Sequence, residues 1–516
     1  MIISPLGTRS LSSRNRMNWQ PFGLGLIFIH MSLAGSMSAA EKPPGSLDLK
    51  AAHRGTPEID IALLDLSEPP ESIRSFFSEA RQAFAANPMA TFAQLPTIRE
   101  AAEKYEISIL GGPMLGAVSA EGARVWIRTR KPAQVTVQVQ INGEEKQFGP
   151  VASTPESDFT AVVPVTGLQA NTSHAYRVLV DGKPIPMPAD STLTTTPGPD
   201  AAIPTTIAFG ADFHKTGLWN QALLERIHQQ KSSALLLLGD GAVDDRENRV
   251  GLHRSDYLLR DLSPGWRKLV ASTPVYATWD DHDYFNNDLS GVPKGFTAED
   301  RSAVRKVWTQ SWNNPSYGFE DRNEGIFFRT RIGPCDVIML DTRYFRTAKG
   351  KPDNFLGEAQ LQWLEKELAA CTGPFIFLSS GTMWSDNITA GKDSWGTWDP
   401  ETRERIFSFI EEKRIGGVML LSGDRHGARV VRIPRASGFD FWEFELGSLG
   451  AHPGPPAIGK PAEDQPFGMI GKSLFGVCSF DTTLPDPTAT IRILDAKGQS
   501  HYEVSLTRSQ LTPPAR

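Results

Sequence analysis

The sequence predicts a multi-domain chain of the mixed α/β (α+β) class, in which a small all-β domain precedes a larger α/β domain. Residues 109–197 contain short runs that alternate apolar and polar residues, as half-buried strands do. From Ile203 onward, continuous apolar runs alternate with amphipathic helical segments, which is the pattern of βαβ units around a buried sheet. The length of 516 residues also exceeds that of one ordinary domain.

Residues 1–40 have the features of a secretion signal. Arg14 and Arg16 precede an apolar run from Phe22 to Leu33, and the small residues up to Ala40 fit a cleavage site there. The run is too short to span a bilayer comfortably. We therefore expect a secreted or periplasmic protein with no membrane span after signal removal; a buried N-terminal helix is the alternative.

The charge balance argues against a nucleic-acid surface. The chain carries a formal net charge of −6, and beyond residue 40 it holds 50 basic against 59 acidic residues. Only three cysteines occur, so the fold is not disulfide-rich. Cys335 and Cys371 each precede an apolar strand-like run, which makes those strands candidate neighbours and the two thiols a candidate disulfide. Alternatively, all three cysteines are buried small hydrophobes.

Residues 41–108 are predicted to be a helical and linker segment. Apolar residues at helical spacing predict a helix over Pro70 to Ala86 and a shorter one over Ile98 to Tyr105. No chemistry is predicted here, so the segment is open to interpretation as a lid, a packing segment or a linker.

Residues 109–197 are predicted to form the small β domain. Its strands are Arg124 to Arg128, Gln134 to Ile141, Thr160 to Val165 and Ser173 to Val180. A loop followed by a strand with Tyr176 resembles a fibronectin III/Ig-like β-sandwich, in which Trp126 is expected as the core aromatic. A Pro- and Gly-containing stretch then forms the boundary to the next domain, residues 203–510.

Acidic and imidazole side chains follow four predicted strands of the larger domain. The four stretches are Asp212-Phe213-His214, Asp240 with Asp244 and Asp245, Asp280-Asp281-His282-Asp283, and Asp424-Arg425-His426. In open sheets ligands bind beyond the carboxyl ends of strands. Carboxylates this close repel one another unless a cation lies among them. Each stretch alone is equally an ordinary acidic turn, but four such strand ends together favour a metal site.

Carboxylate oxygen and imidazole nitrogen together bind divalent or trivalent cations. Two cations that share a bridging carboxylate clamp a phosphoryl group and activate a water. A nearby histidine that binds no metal protonates the leaving oxygen or stabilises developing charge. The pattern therefore favours phosphoester hydrolysis.

Three stretches carry a resemblance to a known family: TWDDHDYFNND, LSGDRHGA and VIMLDTRYFR. The chain resembles the PhoD-like alkaline phosphatases, a branch of the calcineurin-like metallophosphoesterase superfamily, over roughly residues 109–516. The resemblance implies a metallophosphoesterase four-layer β-sandwich flanked by helices, with a dinuclear metal site that hydrolyses phosphomonoesters or phosphodiesters.

The resemblance also implies roles for individual residues. Six metal ligands are expected: Asp212, His214, Asp240 as the bridging carboxylate, Asp281, Asp424 and His426. His282 corresponds to the catalytic histidine that binds no metal. Asn287 and Arg343 are candidates for substrate binding, and a structural ion pair is the alternative for Arg343.

The sequence departs from the superfamily pattern at the second metal. No histidine occurs between Phe375 and Trp384, where the wider superfamily has one, so Ser380, Thr382 or water is expected there. Oxygen-rich sites favour Ca²⁺, Mn²⁺ or Mg²⁺ over Zn²⁺. Val243 stands where relatives often have Tyr, which puts a tyrosinate-bound iron in doubt. Two metal ions are expected, with Ca, Mn, Mg, Fe and Zn all open.

We therefore expect an exported metal-dependent phosphoester hydrolase, a phosphatase or phosphodiesterase, with a small-molecule phosphoester substrate. The rival is a catalytically inactive, metal-stabilised binding or adhesion protein. His282 argues against the rival, because a structural metal site has no need of a histidine that binds no metal.

Overall fold

The structure is a computed structural model. It describes residues 49–347, 354–385, 393–450, 452–454 and 464–515. The predicted signal peptide lies outside the described residues. Within the described ranges, no helix combines the length and the apolar character needed to cross a membrane.

The first part of the described chain is helical. It comprises α1 (Leu49–Arg54), α2 (Pro57–Asp65), α3 (Glu71–Ala86), a 3-10 turn (Phe92–Gln94) and α4 (Pro96–Lys104). Thr56 caps α2, because its side-chain oxygen accepts the backbone N–H of Ile59, and Pro57 occupies the first helical position. Leu63, Phe76 and other apolar side chains of this segment are fully buried in a cluster shared with the larger part of the chain. The segment therefore packs as part of the core.

Two small antiparallel sheets follow. Their strands are β1 (Ile109–Gly116), β2 (Gly122–Thr129), β3 (Ala133–Ile141), β4 (Glu144–Ser153), β5 (Thr160–Thr166), β6 (Ser173–Val180), β7 (Lys183–Pro184) and β8 (Thr192–Thr194). One sheet has the order β1-β2-β5 and the other β4-β3-β6-β7, with β8 also paired to β6. Alternating side chains of both sheets meet in one apolar cluster. The specific fibronectin III/Ig-like assignment stays a prediction.

Trp126 is not the core aromatic of these two sheets, contrary to expectation. Its ring is buried in the cluster that contains the helices, and its Nε1 donates to the backbone oxygen of Gln310 at 3.1 Å. Trp126 lies on β2, where alternate residues point to opposite faces, and this residue faces α10 and its neighbours. It therefore anchors the small sheets to the larger part of the chain.

The larger part alternates strands and helices. Its first half comprises β9 (Thr205–Gly210), α5 (His214–Gly217), α6 (Gln221–Gln229), β10 (Ala234–Leu238), α7 (Val250–Leu262), α8 (Pro264–Val270), β11 (Val275–Thr278), α9 (Asp281–Tyr284), α10 (Ala298–Ser311), β12 (Phe328–Ile332) and β13 (Cys335–Met339). Its second half comprises α11 (Gly357–Ala369), β14 (Phe375–Ser379), α12 (Trp395–Trp398), α13 (Pro400–Lys413), β15 (Val418–Ser422), β16 (Ala428–Pro434), β17 (Asp440–Leu446), β18 (Phe467–Met469), β19 (Leu474–Asp481), β20 (Thr488–Asp495) and β21 (Ser500–Thr507).

These strands form two mixed sheets. One has the order β11-β10-β9-β19-β20-β21, and the other has the order β12-β13-β14-β15-β17-β16-β18. In the first sheet β9, β10 and β11 are parallel, and in the second β13, β14, β15 and β17 are parallel. Helices connect successive parallel strands from β9 to β11 and from β13 to β15, whereas β15 and β17 are connected through β16. These helices cover the outer faces of both sheets.

Three apolar clusters separate four layers. Side chains of both sheets interlock in the central cluster, which includes Phe209, Tyr276 and Phe377. A second cluster lies between the first sheet and the helices around α7, and a third lies between the second sheet and α11 and α13. The predicted mixed α/β class and the four-layer arrangement, in which two facing sheets are flanked by helices, are confirmed.

The three cysteines are free thiols. The two strands are neighbours in the sheet, as expected, because Cys335 at the start of β13 pairs with Phe375 of β14. Cys371 nevertheless makes no disulfide with Cys335. Cys335 and Cys478 are buried in the apolar interior, which raises the pKa of both thiols and suits the alternative of small buried hydrophobes.

Candidate metal centre

The carboxyl ends of parallel strands from both sheets meet at one edge of the fold. Backbone hydrogen bonds join the two sheets there, because Ala211 N–H after β9 donates to Leu446 O of β17 at 2.8 Å, and Leu449 N–H after β17 donates to Ala211 O at 3.1 Å. The side chains that follow β9, β10, β11 and β15 therefore lie close together in the buried interior at this edge. Five of the six predicted metal ligands belong to candidate metal groups here, and the sixth, His426, lies beside His214.

Asp212, His214 and Asp240 form the first candidate metal group. Each offers a ligand atom within 4.8 Å of the others. His426 lies beside them, with its Nε2 3.4 Å from Nε2 of His214. Burial, and next to it the neighbouring His214, lowers the pKa of His426 to about 2. The ring is therefore neutral at ordinary pH, as a metal ligand must be.

A second-sphere carboxylate orients His214. Nδ1 of His214 donates to Oδ1 of the fully buried Asp244 at 2.9 Å. The hydrogen bond fixes the tautomer and leaves Nε2 available for a cation, which is the usual arrangement of a metal-binding histidine. The other oxygen of Asp244 accepts the backbone N–H of Lys215 at 3.2 Å, so this carboxylate is already satisfied.

Four carboxylates form the second candidate metal group: Asp240, Asp280, Asp281 and Asp424. Their oxygens lie within 4.8 Å of one another. Asp240 belongs to both groups, as a bridging ligand does, and neither of its buried oxygens accepts a hydrogen bond from a described residue. Burial, and next to it the charges of Asp281 and Asp280, raises the pKa of Asp240 well above its usual range. An all-oxygen group with unsatisfied acceptors fits a hard cation.

Gly239 permits this crowding. It precedes Asp240, adopts a φ of +116°, and a Cβ placed on it would lie 2.7 Å from Cβ of Asp280. Any larger residue would push two of the clustered carboxylates apart.

His282 lies next to both metal groups through Asp240 and Asp281, with which it offers ligand atoms within 4.8 Å. Its Nδ1 donates to Oδ1 of Asp245 at 2.7 Å, so Nε2 is the ring nitrogen left for a substrate. Burial opposes protonation, but the charge of Asp281 and the hydrogen bond to Asp245 outweigh it and raise the pKa of His282 to about 10. The ring is therefore built to carry a proton.

Arg343 is completely buried, and carboxylates surround its guanidinium. Its Nε donates to Asp280, and its Nη1 lies 3.1 Å from Oδ2 of Asp393. These are the contacts of the ion-pair alternative. Asn287 is exposed, and its backbone N–H donates to Oδ1 of Asp245 at 3.0 Å. A substrate role for either residue stays a prediction.

Sequence reasoning missed several residues of this site. Asp244 and Asp245 were visible after β10, but only the fold shows which histidine each one orients. Asp280 belongs to one of the four acidic stretches, but the sequence predicts no individual role for it, and its place in the second metal group depends on the pairing of β10 with β11. His452 contacts Thr216, with Nε2 2.6 Å from Oγ1, and stands 5.6 Å from the ring of His214. It had no sequence signal, because it follows no predicted strand.

His53 of α1 also reaches this site. Its ring stacks on His282, with 4.6 Å between centroids and 10° between planes. Burial lowers its pKa to about 4, with His282 and His214 adding to the effect. No sequence signal pointed to it, because it lies in a segment without a motif.

The backbone at the site is unusual. Asp212, His214, Asp240, Asp424 and His426 all adopt a left-handed φ between 43° and 74°. Residues other than glycine occupy this region at a cost of roughly 1–3 kcal/mol each, and they persist where the surroundings fix them. Five such residues at one site indicate a functional constraint.

Comparison with known families divides the chain in two. Residues 242–470 match the family described as PhoD-like phosphatase, and residues 106–197 match a domain of unknown function, DUF7800. Alkaline phosphatase D of Bacillus subtilis (strain 168) is 26% identical over 214 residues, which cover 36% of this chain and 35% of that protein. The match thus spans about a third of this curated relative.

Two solved structures share the fold. The structure of PhoD has a TM-score of 0.63 at 18% identity, with 78% of this chain and 91% of that chain covered. The purple acid phosphatase PPD1 from yellow lupin (Lupinus luteus) seeds has a TM-score of 0.56 at 12% identity, with 77% and 74% covered. At these identities the likeness shows the fold alone.

Proposed function

We propose that this chain, whose residues 242–470 form a PhoD-like phosphatase domain, is an exported metal-dependent phosphoester hydrolase. The observation that carries the proposal is the pair of metal groups that share Asp240 beside His282. A structural metal site needs neither two adjoining groups nor a neighbouring proton donor. Phosphoester hydrolysis uses both.

Asp212, His214, Asp240 and His426 would hold the first cation. Asp240, Asp281 and Asp424 would hold the second, and Asp280 adds a further carboxylate nearby. When bound, two such cations neutralise phosphoryl charge and lower the pKa of a water to near neutrality. The mixed donors of the first group and the oxygen donors of the second suit different cations, with Ca, Mn, Mg, Fe and Zn all candidates.

The chain's own residues do the remaining work. His282 holds a proton that its Nε2 donates to the leaving oxygen, while Asp245 fixes the ring through Nδ1. Asp244 fixes His214 in the same manner. The substrate is a small phosphomonoester or phosphodiester. Export rests on the signal predicted for residues 1–40.

The test begins with the purified mature chain, stripped with a chelator and reloaded separately with Ca²⁺, Mn²⁺, Mg²⁺, Zn²⁺ or Fe³⁺. Turnover of an aryl phosphate and of a bis-aryl phosphodiester is measured for each metal. We expect one or more metals to restore turnover, and the preferred ester distinguishes the monoesterase from the diesterase. His282→Ala should lose roughly 10²- to 10⁴-fold in kcat, the usual contribution of a general acid.

The control is His501→Ala, which removes a histidine from strand β21, far along the chain from every strand end that forms the site. It should keep full activity and full metal content. Absence of turnover with every metal, in a folded chain that still binds metal, would contradict the hydrolase. It would favour the binding-protein rival.

A further inference from the structure

Helix α1 carries His53 to the edge of the metal centre. The ring of His53 stacks on His282 at 4.6 Å and meets the ring of His214 edge-on at 5.6 Å. Its Nδ1 lies 3.5 Å from Oδ1 of Asp244 and 3.7 Å from Oδ2 of Asp245. Three histidines thus surround the two carboxylates that orient the site.

His53 adjoins His282 but shares no compact group with Asp240. His282 forms one compact group with Asp240 and Asp281, and another with His53 and Asp244. Among the described residues, no compact group that contains Asp240 includes His53. His53 therefore stands beside the proposed proton donor and outside both groups proposed to hold the cations.

Part of the His53 ring is open to a ligand. Nδ1 is buried against Asp244 and Asp245, while 18% of the side chain remains exposed, so the exposed surface belongs to its other atoms. A cation between His53, Asp244 and His282 is the competing interpretation, and the metal content of the His53 variants distinguishes the two.

Buried ion pairs hold α1 and α2 in place. Asp60 of α2 is 1% exposed and accepts Nζ of Lys215 at 2.7 Å and Nε of Arg81 at 2.7 Å. Lys215, which pairs with Asp60, follows the candidate ligand His214 directly in the sequence. The ion pair therefore attaches α2 to the turn that carries His214. Arg246, which follows Asp245, lies 3.7 Å from the same Asp60 carboxylate. The helical segment that carries His53 is therefore attached, through Asp60, to both turns that carry site residues.

We propose that His53 is a substrate-binding residue that contacts the ester substituent of the phosphoester, through a hydrogen bond or ring packing. This rests on the proposed hydrolase function. The helical segment of residues 49–104 then serves as a fixed wall of the active site.

The test compares ligands with and without a substituent. We would measure kcat and KM for an aryl phosphate, and the inhibition constant of inorganic phosphate, for His53→Ala and His53→Phe in the full mature chain. His53→Phe keeps a ring against His282 and removes the nitrogens. The matched control is Arg54→Ala, which changes the next, exposed residue of the same helix.

We expect His53→Ala to lose roughly 3- to 10-fold in kcat/KM, the size of one lost hydrogen bond between neutral groups, with the loss mainly in KM. Inorganic phosphate has no substituent, so its inhibition constant should stay within about twofold, which lies inside the scatter expected for distant changes. Metal content should not change. If His53→Phe loses as much kcat/KM as His53→Ala, the contact is made by the ring nitrogens. If His53→Phe loses less, the contact is made by ring packing. Either result supports contact between His53 and the substituent.

Three outcomes would overturn the proposal. Unchanged kcat/KM in both variants shows that the substituent does not meet His53. A lower metal content shows that His53 is a metal ligand. Equal weakening of phosphate inhibition and of ester turnover shows a general disturbance of the site. Failure of the hydrolase itself is distinct, since the unmodified chain would then turn over neither ester.

Discussion

Two consecutive aspartates assign different tasks to two histidines. Asp244 accepts Nδ1 of His214, and Asp245 accepts Nδ1 of His282, at 2.9 and 2.7 Å. Their burial differs: Asp244 is fully buried, whereas Asp245 is partly exposed, with 23% of its side chain accessible. The buried partner suits a permanently bound ligand, and the partly exposed one suits a histidine that exchanges protons with substrate.

Substitution of each aspartate by asparagine tests the two roles separately. Asp244→Asn should lower metal affinity by roughly 10- to 100-fold, because it weakens the partner of a metal-binding histidine. Asp245→Asn should keep its metal and lose roughly 10²- to 10⁴-fold in kcat, since His282 loses the carboxylate that holds its proton. Metal titration followed by assay at saturating metal distinguishes the variants. Loss of metal in both would contradict the separate roles.

For single residues, the sequence predicts a place in the site where a short motif follows a recognisable strand. Asp212, His214, Asp240 and Asp424 are of this kind, and they do lie together. His53 could not be identified in this way, because α1 has no motif and the contact of His53 with His282 depends on tertiary packing. The contacts of Arg343 with Asp280 and Asp393 could not be predicted either, since the sequence does not show which partner a charged residue will meet.

At the scale of elements, α2 is attached by charge as well as by apolar contact. Asp60 lies among Lys215, Arg81 and Arg246, and burial opposes its ionisation. These cations outweigh burial and lower the pKa of Asp60 below its usual value. The carboxylate is therefore ionised at neutral pH. It is the carboxylate that pairs with Arg81, and it shares the charge balance of Lys215 and Arg246 with Asp256.

Asp60→Asn should destabilise the protein by about 3–5 kcal/mol, because it removes the carboxylate that pairs with the buried Arg81 and one of the two that pair with Lys215. The folded-state pKa is lowered, so this contribution is complete above the unfolded pKa and is lost as the pH falls through the folded one. Denaturant unfolding at pH 7 and under acid conditions measures both effects. Asp65→Asn, which removes an exposed partner of Arg74, should cost under about 1 kcal/mol. Equal costs in the two variants would contradict the anchor.

Elements with a clear period were predicted well. The apolar strands β10, β14 and β15 and helix α3 appear within one or two residues of their predicted bounds. The strand partners were beyond reach, because local pattern carries no information on pairing across long stretches of chain. Trp126 shows the same limit: alternation placed it on a strand, but could not tell which face of β2 meets the helices.

At the scale of the whole molecule, the metal centre lies where two sheets meet. The buried carboxylates of Asp212, Asp240 and Asp424 have pKa values raised well above their usual range, burial being the largest cause in each. In the metal-free protein, bound protons neutralise part of this negative charge. Cations replace them in the holoprotein, so metal binding releases protons.

Metal removal should therefore destabilise the fold more at high pH. Carboxylates with raised folded-state pKa values stabilise the metal-free form at low pH and lose that contribution as the pH rises through those values. Chelation should lower Tm at pH 8 by more than at pH 5, and excess metal adds stability as RT ln(1 + [L]/Kd). Thermal unfolding with and without chelator at both pH values tests this. A larger effect at pH 5 would contradict the assignment.

The pairing of β9 with β19 bears on the order of events during synthesis. β9 leads directly to Asp212 and His214, and its second neighbour, β19, begins only at Leu474. Contacts so distant in sequence form slowly, because the intervening loop must first be closed. A nascent chain exposes an unpaired edge of β9 until residues 474–481 have left the ribosome. We infer that the side chains after β9 reach their final positions only after β19 has been synthesised and has paired with β9.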